Sequence, residues 1–173
     1  PEFLGKKVEA REMKLATLTI LVTPLTALII AGIALGTDYG AASIYAAGKP
    51  QGFSETLYAY MSQANNNGSA FAGFTGFIQP NAGSLGSYGI TFANLAGALA
   101  MLFARFLPMV LVLAIAGSVA GKRSVPAGAG TLRTDTPTFG VLLGGVVLLI
   151  GALTFLPALL LGPLAQGLTD RLF

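Results

Sequence analysis

Apolar positions along this chain fall into three long runs, separated by stretches rich in glycine, proline and polar residues. The first run, Leu15 to Leu35, holds about 20 residues, enough at 1.5 Å per residue to cross a hydrocarbon layer ~30 Å thick. Pro24 inside it predicts a kink rather than a break, because neighbouring groups in a membrane can re-satisfy the carbonyl a proline frees. The second run covers Thr91 to Val119 and carries Gly97, Arg105 and Pro108. The third covers Thr138 to Leu168 and is interrupted by Pro157, Gly162 and Pro163. Gly32 with Gly36, and Gly140 with Gly144, give the small-xxx-small spacing that permits close helix crossings.

Between the first two runs the pattern changes. Thr37 to Gly52 reads as a loop, punctuated by Asp38, Gly40, Gly48, Lys49, Pro50 and Gly52. A short helix is predicted over 54–63, with Ser54 as its cap and Glu55 in its first turn. It is too short to span, so it is either re-entrant or interfacial. Asn65-Asn66-Asn67-Gly68 ends it. A polar, glycine-containing stretch to a Pro80-Asn81 turn then leads into the second run.

Composition agrees with a membrane setting. Hydrophobic residues make up 54% of the 173, and charged residues 10%, against ~25% in soluble domains. With three spans and a non-spanning hairpin, Lys6, Lys7, Arg11, Lys14, Lys122, Arg123 and Arg133 fall on one side. Lys49 and Arg171 fall on the other. The positive-inside bias makes the first side cytoplasmic, with the C-terminus extracytoplasmic. Basic residues so placed set topology, and no nucleic-acid partner is expected. The chain has neither Cys nor His. Thiolate and imidazole metal sites, disulfides and His-activated nucleophiles are thereby removed, and an intramembrane hydrolase using Ser69 would lack a base. The opening Pro1-Glu2-Phe3 in place of Met reads as a loop from within a longer protein, incomplete at its front.

Candidate chemistry lies in Asn66-Asn67-Gly68-Ser69-Ala70. A short helix entering the membrane and returning as extended chain can aim a row of carbonyl oxygens at an axis, where they replace the hydration shell of a large monovalent cation. Gly68 suits backbone of alternating sign, and asparagine is the next most tolerant residue type. The same string also reads as an exposed loop tip. Asn67-Gly68-Ser69 formally satisfies a glycosylation sequon. Arg105 lies mid-span, where a lipid-facing charge costs ~2.5–3.5 kcal/mol on insertion scales, so it is expected to face protein, a pore or a partner.

Three separated segments carry a resemblance. They are Tyr58-Ala59-Tyr60, Ser62 and Asn65 to Gly73; Phe3 to Lys7 with Glu9 to Leu15; and Val125-Pro126-Ala127 with Ala129 to Leu132. In this order they closely resemble the potassium-binding subunit family of the bacterial Kdp potassium-transporting ATPase. The resemblance implies the last part of such a subunit, its fourth membrane-pore-membrane repeat and a closing helix. It implies a cytoplasmic loop over 1–14 and a repeat over 15–119, with spans 15–35 and 91–119, pore helix 54–63 and filter 66–70. A cytoplasmic loop over 120–137, a final span over 138–168 and an extracytoplasmic tail over 169–173 complete it. The implied fold is all-α and integral to the bacterial inner membrane. The implied role is non-catalytic: one of four selectivity-filter loops for potassium, with Arg105 a possible pore or gate residue. Implied partners are a catalytic P-type ATPase subunit that hydrolyses ATP, small accessory subunits, the remaining repeats and membrane lipid. Potassium is the transported ion, with no other metal and no organic cofactor expected. A Trk/Ktr-like or passive potassium channel subunit would share the architecture without the flanking strings. Arg133 and Asp135 depart from the family pattern. Glu55 reads as a pore-helix acid at the outer mouth or a solvated cap, and Tyr58 and Tyr60 as packing or interfacial aromatics.

Overall fold

A computed structural model describes residues 2–3, 5–76, 91–126, 128 and 132–168. Two strands of two residues each, β1 (Glu2–Phe3) and β2 (Lys6–Lys7), pair antiparallel around Gly5, whose φ of 72° is open to glycine. Among the described residues five helices follow: α1 (Ala10–Leu35), α2 (Asp38–Ala41), α3 (Pro50–Ala64), α4 (Phe92–Ala120) and α5 (Pro137–Gly167). The architecture is predominantly helical, as the apolar runs predict, with the small β-ladder as an addition. Two helices, α1 and α4, are long and apolar enough to cross a membrane. Helix α5 has 31 residues and continues through positions 157 and 163, and α1 continues through Pro24.

Each helix boundary has a local cause. Helix α1 starts five residues before the apolar run, inside the stretch expected as loop, because Glu9 and Glu12 form a capping box: each side chain accepts from the other's end of the first turn. Thr91 and Thr136 cap α4 and α5, accepting from Asn94 N at 3.2 Å and Phe139 N at 3.3 Å. Helix α3 begins at Pro50, not Ser54. Pro50 is its first residue, where a missing N–H costs nothing, and Lys49 is the N-cap. At 15 residues α3 is about 22 Å long, too short to cross a hydrocarbon core.

The core is built from small side chains. Helix α1 presents Ala27, Ala31 and Ala34, spaced four and three apart. Helix α4 presents Ala93, Ala96, Gly97, Ala100 and Ala104. These stripes face one another and α3, whose Leu57, Tyr60 and Ala64 fill the space between. Where the surroundings of a helix bundle are themselves apolar, close packing rather than exclusion of water holds helices together, and small residues let backbones approach. Among the described residues nothing lies within 4 Å of a Cβ built on Gly32, Gly140 or Gly144, so these glycines make no close helix crossing there. The alanines do that work instead. Helix α5 packs on α3, where buried Ser54, inside the helix rather than at its cap, accepts from Gly162 N at 2.8 Å.

Glycine is required most strictly at Gly40. A Cβ there would sit 2.3 Å from both Cα and O of Ala34, backbone atoms that cannot swing aside. Gly40→Ala is expected to destabilise the protein by about 1–3 kcal/mol, the usual cost of overpacking. Thermal unfolding of the full-length subunit carrying the change, in detergent, measures this, and an unchanged melting temperature would contradict it.

Candidate ion-filter loop

The segment following α3 is turned by a helix-ending motif in which asparagine takes the place of glycine. Asn66 has φ 57°, the left-handed region; its N–H donates to Gln63 O at 2.8 Å, and Asn67 N–H donates to Ser62 O at 2.9 Å. This pair of bonds is a Schellman closure, with Asn66 as the left-handed residue. Gly68 follows with φ 87°, and no atom lies within 4 Å of a Cβ built on it, so its need for glycine is purely conformational.

Side chains of α3 hold this loop from behind. Ser69 Oγ shares hydrogen bonds with Tyr58 OH at 3.1 Å and Ser62 Oγ at 3.2 Å, while Ser69 N donates to Asn67 Oδ1 at 3.1 Å. Ser62 Oγ donates weakly to the same Asn67 oxygen at 3.5 Å. Asn66 Nδ2 turns back to Ala64 O at 3.3 Å. With the polar side chains so occupied, the carbonyl oxygens of Asn67, Gly68, Ser69 and Ala70 accept no hydrogen bond among the described residues. Residues 67–72 form an exposed edge.

Beyond the loop, the returning chain is tied to the segment after α2. Ile44 and Phe74 form an antiparallel bridge, with Tyr45 N donating to Gly73 O at 2.8 Å and Thr75 N to Ser43 O at 2.9 Å. Thr91 Oγ1 donates to Gly76 O, joining the return to the start of α4. The Glu55 carboxylate packs against Gly73, where a Cβ would lie 2.4 Å from Oε1. Because α3 starts at Pro50, Glu55 stands in its second turn behind the returning chain. The first-turn position expected for it is therefore corrected. Tyr60 is a packing residue, fully buried with its ring edge-on to Phe74 at 5.7 Å. Gln63 packs on Gly97 of α4 and fixes the last turn of α3 there. The Pro80-Asn81 turn lies outside the described residues.

Arg105 is exposed and has no hydrogen-bond or ion-pair partner among the described residues. Its neighbour Ala104 is buried with Ala27 and Ala64, so Arg105 stands at the depth where α3 ends.

Residues 1–168 match the family described as KdpA, potassium-transporting ATPase A subunit. The chain belongs to the KdpA family. It is 49% identical over 168 residues to the potassium-transporting ATPase potassium-binding subunit of Paramagnetospirillum magneticum, covering 97% of this chain and 28% of that protein. To the subunit of the same name from Sorangium cellulosum it is 51% identical, covering 97% and 27%. To that of Escherichia coli O127:H6 it is 51% identical over 169 residues, covering 98% and 28%. The chain thus spans little more than a quarter of the length of these relatives.

The KdpA-family segments quoted from the sequence include the two regions of densest polar contact. One is the loop after α3. The other is the end of the bundle carrying most of the basic residues, where hydrogen bonds and ion pairs join the N-terminal hairpin and the start of α1 to the end of α4 and the chain just after it. Lys6 Nζ donates to Val119 O at 2.9 Å and Ala120 O at 3.1 Å, carbonyls of the last turn of α4, of which Val119 O also accepts Lys122 N at 3.2 Å. Lys122 Nζ reaches Glu12 at 2.7 Å and Glu9 at 3.1 Å. Ser118 Oγ donates to Glu12, and Val125 N to Gly5 O at 2.7 Å. Lys122 and Ser118 beside Glu12, which precedes the apolar run, hold its carboxyl down at about 2; the same contact pushes Lys122 up. This polar clasp was missed in the sequence, where these residues read only as topology charges. The capping-box spacing of Glu9 and Glu12 was the one available signal. At 133–136, Arg133 pairs with Asp135 at 2.6 Å in an exposed contact, so the two charges satisfy each other. Ala127 and 129–131 lie outside the described residues, as does the 169–173 tail.

Proposed function

We propose that this chain is one membrane-pore-membrane repeat of a potassium-translocating subunit, with the helix that follows it, and that Asn66, Asn67, Gly68, Ser69 and Ala70 form one of four loops of a potassium filter. In this reading α1, α4 and α5 span a bacterial inner membrane, α3 is re-entrant, the N-terminal end is cytoplasmic and the chain end after α5 extracytoplasmic. The carrying observation is that the carbonyls at 67–70 have no donor among the described residues, while the Asn67 side chain accepts from Ser69 N and the Ser69 and Asn67 side chains are bonded to α3. Backbone oxygens without internal donors, on a braced loop at the end of a short helix, suit a dehydrated monovalent cation. The helix end beside them carries the negative pole of α3, which favours positive charge. Membership of the KdpA family supports potassium as the ion and an ATP-driven complex as the setting, in which a catalytic P-type subunit hydrolyses ATP and accessory subunits and lipid complete the assembly. The Trk/Ktr-like or passive-channel reading lacks that support.

Potassium-limited growth of a transport-deficient bacterium carrying the full complex tests the loop assignment. Gly68→Asp is expected to abolish growth at low potassium with the complex still assembled. Normal growth and uptake would reduce the loop to a surface turn.

Arg105, exposed and without a partner among the described residues, takes its partners from the remaining repeats on the pore side in this reading. Leaving it in lipid would cost ~2.5–3.5 kcal/mol. Arg105→Gln is expected to keep the complex assembled and to raise ion leak through it, read as potassium loss from proteoliposomes without ATP. Unchanged leak and transport would remove Arg105 from the pore.

A further inference from the structure

Among the described residues nothing lies within 4 Å of a Cβ built on Gly68 and its N–H and carbonyl make no hydrogen bond, so what fixes its carbonyl and those beside it acts through its neighbours. Two side chains do so. Ser62 holds Asn67 through its backbone oxygen at 2.9 Å and Ser69 through its hydroxyl at 3.2 Å. Tyr58, one turn earlier on the same face of α3, holds Ser69 through its phenol at 3.1 Å. The Tyr58 ring also packs against Phe71, centroids 4.8 Å apart and planes tilted by 47°. Tyr58 therefore grips the loop at two points on either side of Ala70, once by a hydrogen bond and once by ring contact. A half-buried tyrosine serving only as an interfacial anchor would turn its hydroxyl toward water or headgroups. This one turns it back to the loop.

We propose that Tyr58, with Ser62 behind it, is the specificity-setting positioning residue of the filter. Its hydroxyl fixes the Ser69 side chain and so the spacing of the 67–70 carbonyls. Tyr58 does not touch the ion. A looser loop would adapt its oxygens to cations of other radii, lowering preference among ions more than turnover. This inference rests on the filter reading above and deepens it.

The experiment is cation-stimulated ATP hydrolysis by the purified, complete complex, titrated separately with potassium, rubidium and sodium. Tyr58→Phe keeps the ring contact with Phe71 and removes one hydrogen bond. It is expected to lower apparent potassium affinity about two- to tenfold, the range one such bond spans, and to narrow the preference for potassium over rubidium and sodium while leaving maximal turnover intact. Ser69→Ala removes that bond together with the one to Ser62 Oγ, so it should narrow the ion preference at least as far, and the double variant should lose little beyond Ser69→Ala alone, because the bond Tyr58→Phe removes is already gone. A purely structural tyrosine would lower assembly or thermal stability without moving the ratio between ions. That result, or an unchanged ratio in Tyr58→Phe, overturns the proposal. Gly68→Ala run in parallel separates the two levels. If Gly68→Ala alters ion preference and Tyr58→Phe does not, only the role of Tyr58 falls. If Gly68→Ala alters nothing, the filter reading falls and takes this inference with it.

Discussion

Gly68→Ala in the complete complex is expected to leave assembly unchanged and to weaken potassium affinity about five- to thirtyfold. The size follows from conformation alone. An L-residue held in the left-handed region costs ~1–2 kcal/mol, and each 1.4 kcal/mol is a factor of ten in affinity. Gly68 has φ 87° and open space around it, so steric exclusion adds nothing within this chain. Gly68→Asn supplies the control. Asparagine tolerates positive φ better than alanine, as Asn66 already does two residues earlier, so its loss should be the smaller of the two. Potassium titration of ATP hydrolysis, with subunit stoichiometry checked by gel filtration, distinguishes the variants. Equal losses in both would mean that side-chain bulk against the other repeats, rather than backbone sign, governs this position.

Lys122→Glu is expected to cut the yield of assembled complex several-fold, the effect a modest loss of stability has on abundance in cells. The substitution sets three carboxylates together, since Glu12 and Glu9 lie 2.7 and 3.1 Å from the present ammonium, and Glu12 is only 2% exposed. Exchanging the charges, with Glu12→Lys added, should recover only part of the loss. Lysine cannot accept the Glu9 N–H that Glu12 now accepts at 2.8 Å, so the capping box stays broken. The pH dependence has a definite sign. The folded Glu12 carboxyl sits near 2 against an ordinary 4.5, so its contribution is full above about 4.5 and fades as pH falls toward 2. Lys122 is raised above 10.5, so its contribution is full below that value and fades only at stronger alkali. The difference in melting temperature between the wild type and Lys122→Met should therefore stay flat from about pH 5 to 10 and shrink in acid. A difference that changes between pH 6 and 8 would show that other groups control this end.

What the sequence disclosed and what it hid follow from the range of the interactions involved. Three helices could be read because an apolar run long enough to cross a membrane is a local property. The loop after α3 could be read because Asn-Asn-Gly states its own backbone demands. The start of α3 was misplaced by four residues because Ser54 and Pro50 are both good helix starters, and Ser54 is engaged by Gly162, 108 residues away. The role of Tyr58 was hidden for a similar reason: a tyrosine on a short membrane-associated helix has the same local signature whether it meets headgroups or Ser69. Glycine spacing misled where alanines made the contact, since Gly32 and Ala31 are both small and only geometry chooses between them.

The clasp joining Lys6 and Lys122 to their partners acts as a rivet between α1 and α4 at one end of the pair. Two rods riveted at one end can part only at the other, and then only by pivoting. Any stroke that displaces α4 from α1 must therefore grow with distance from Lys122 and be greatest near Thr91, where the return from the loop is tied. Helix α5 is under a different constraint, riding on α3 through Gly162 and Ser54. Movement at the basic end of this chain is thus left to α5 and to whatever is coupled to it, while α1 and α4 serve as the fixed frame.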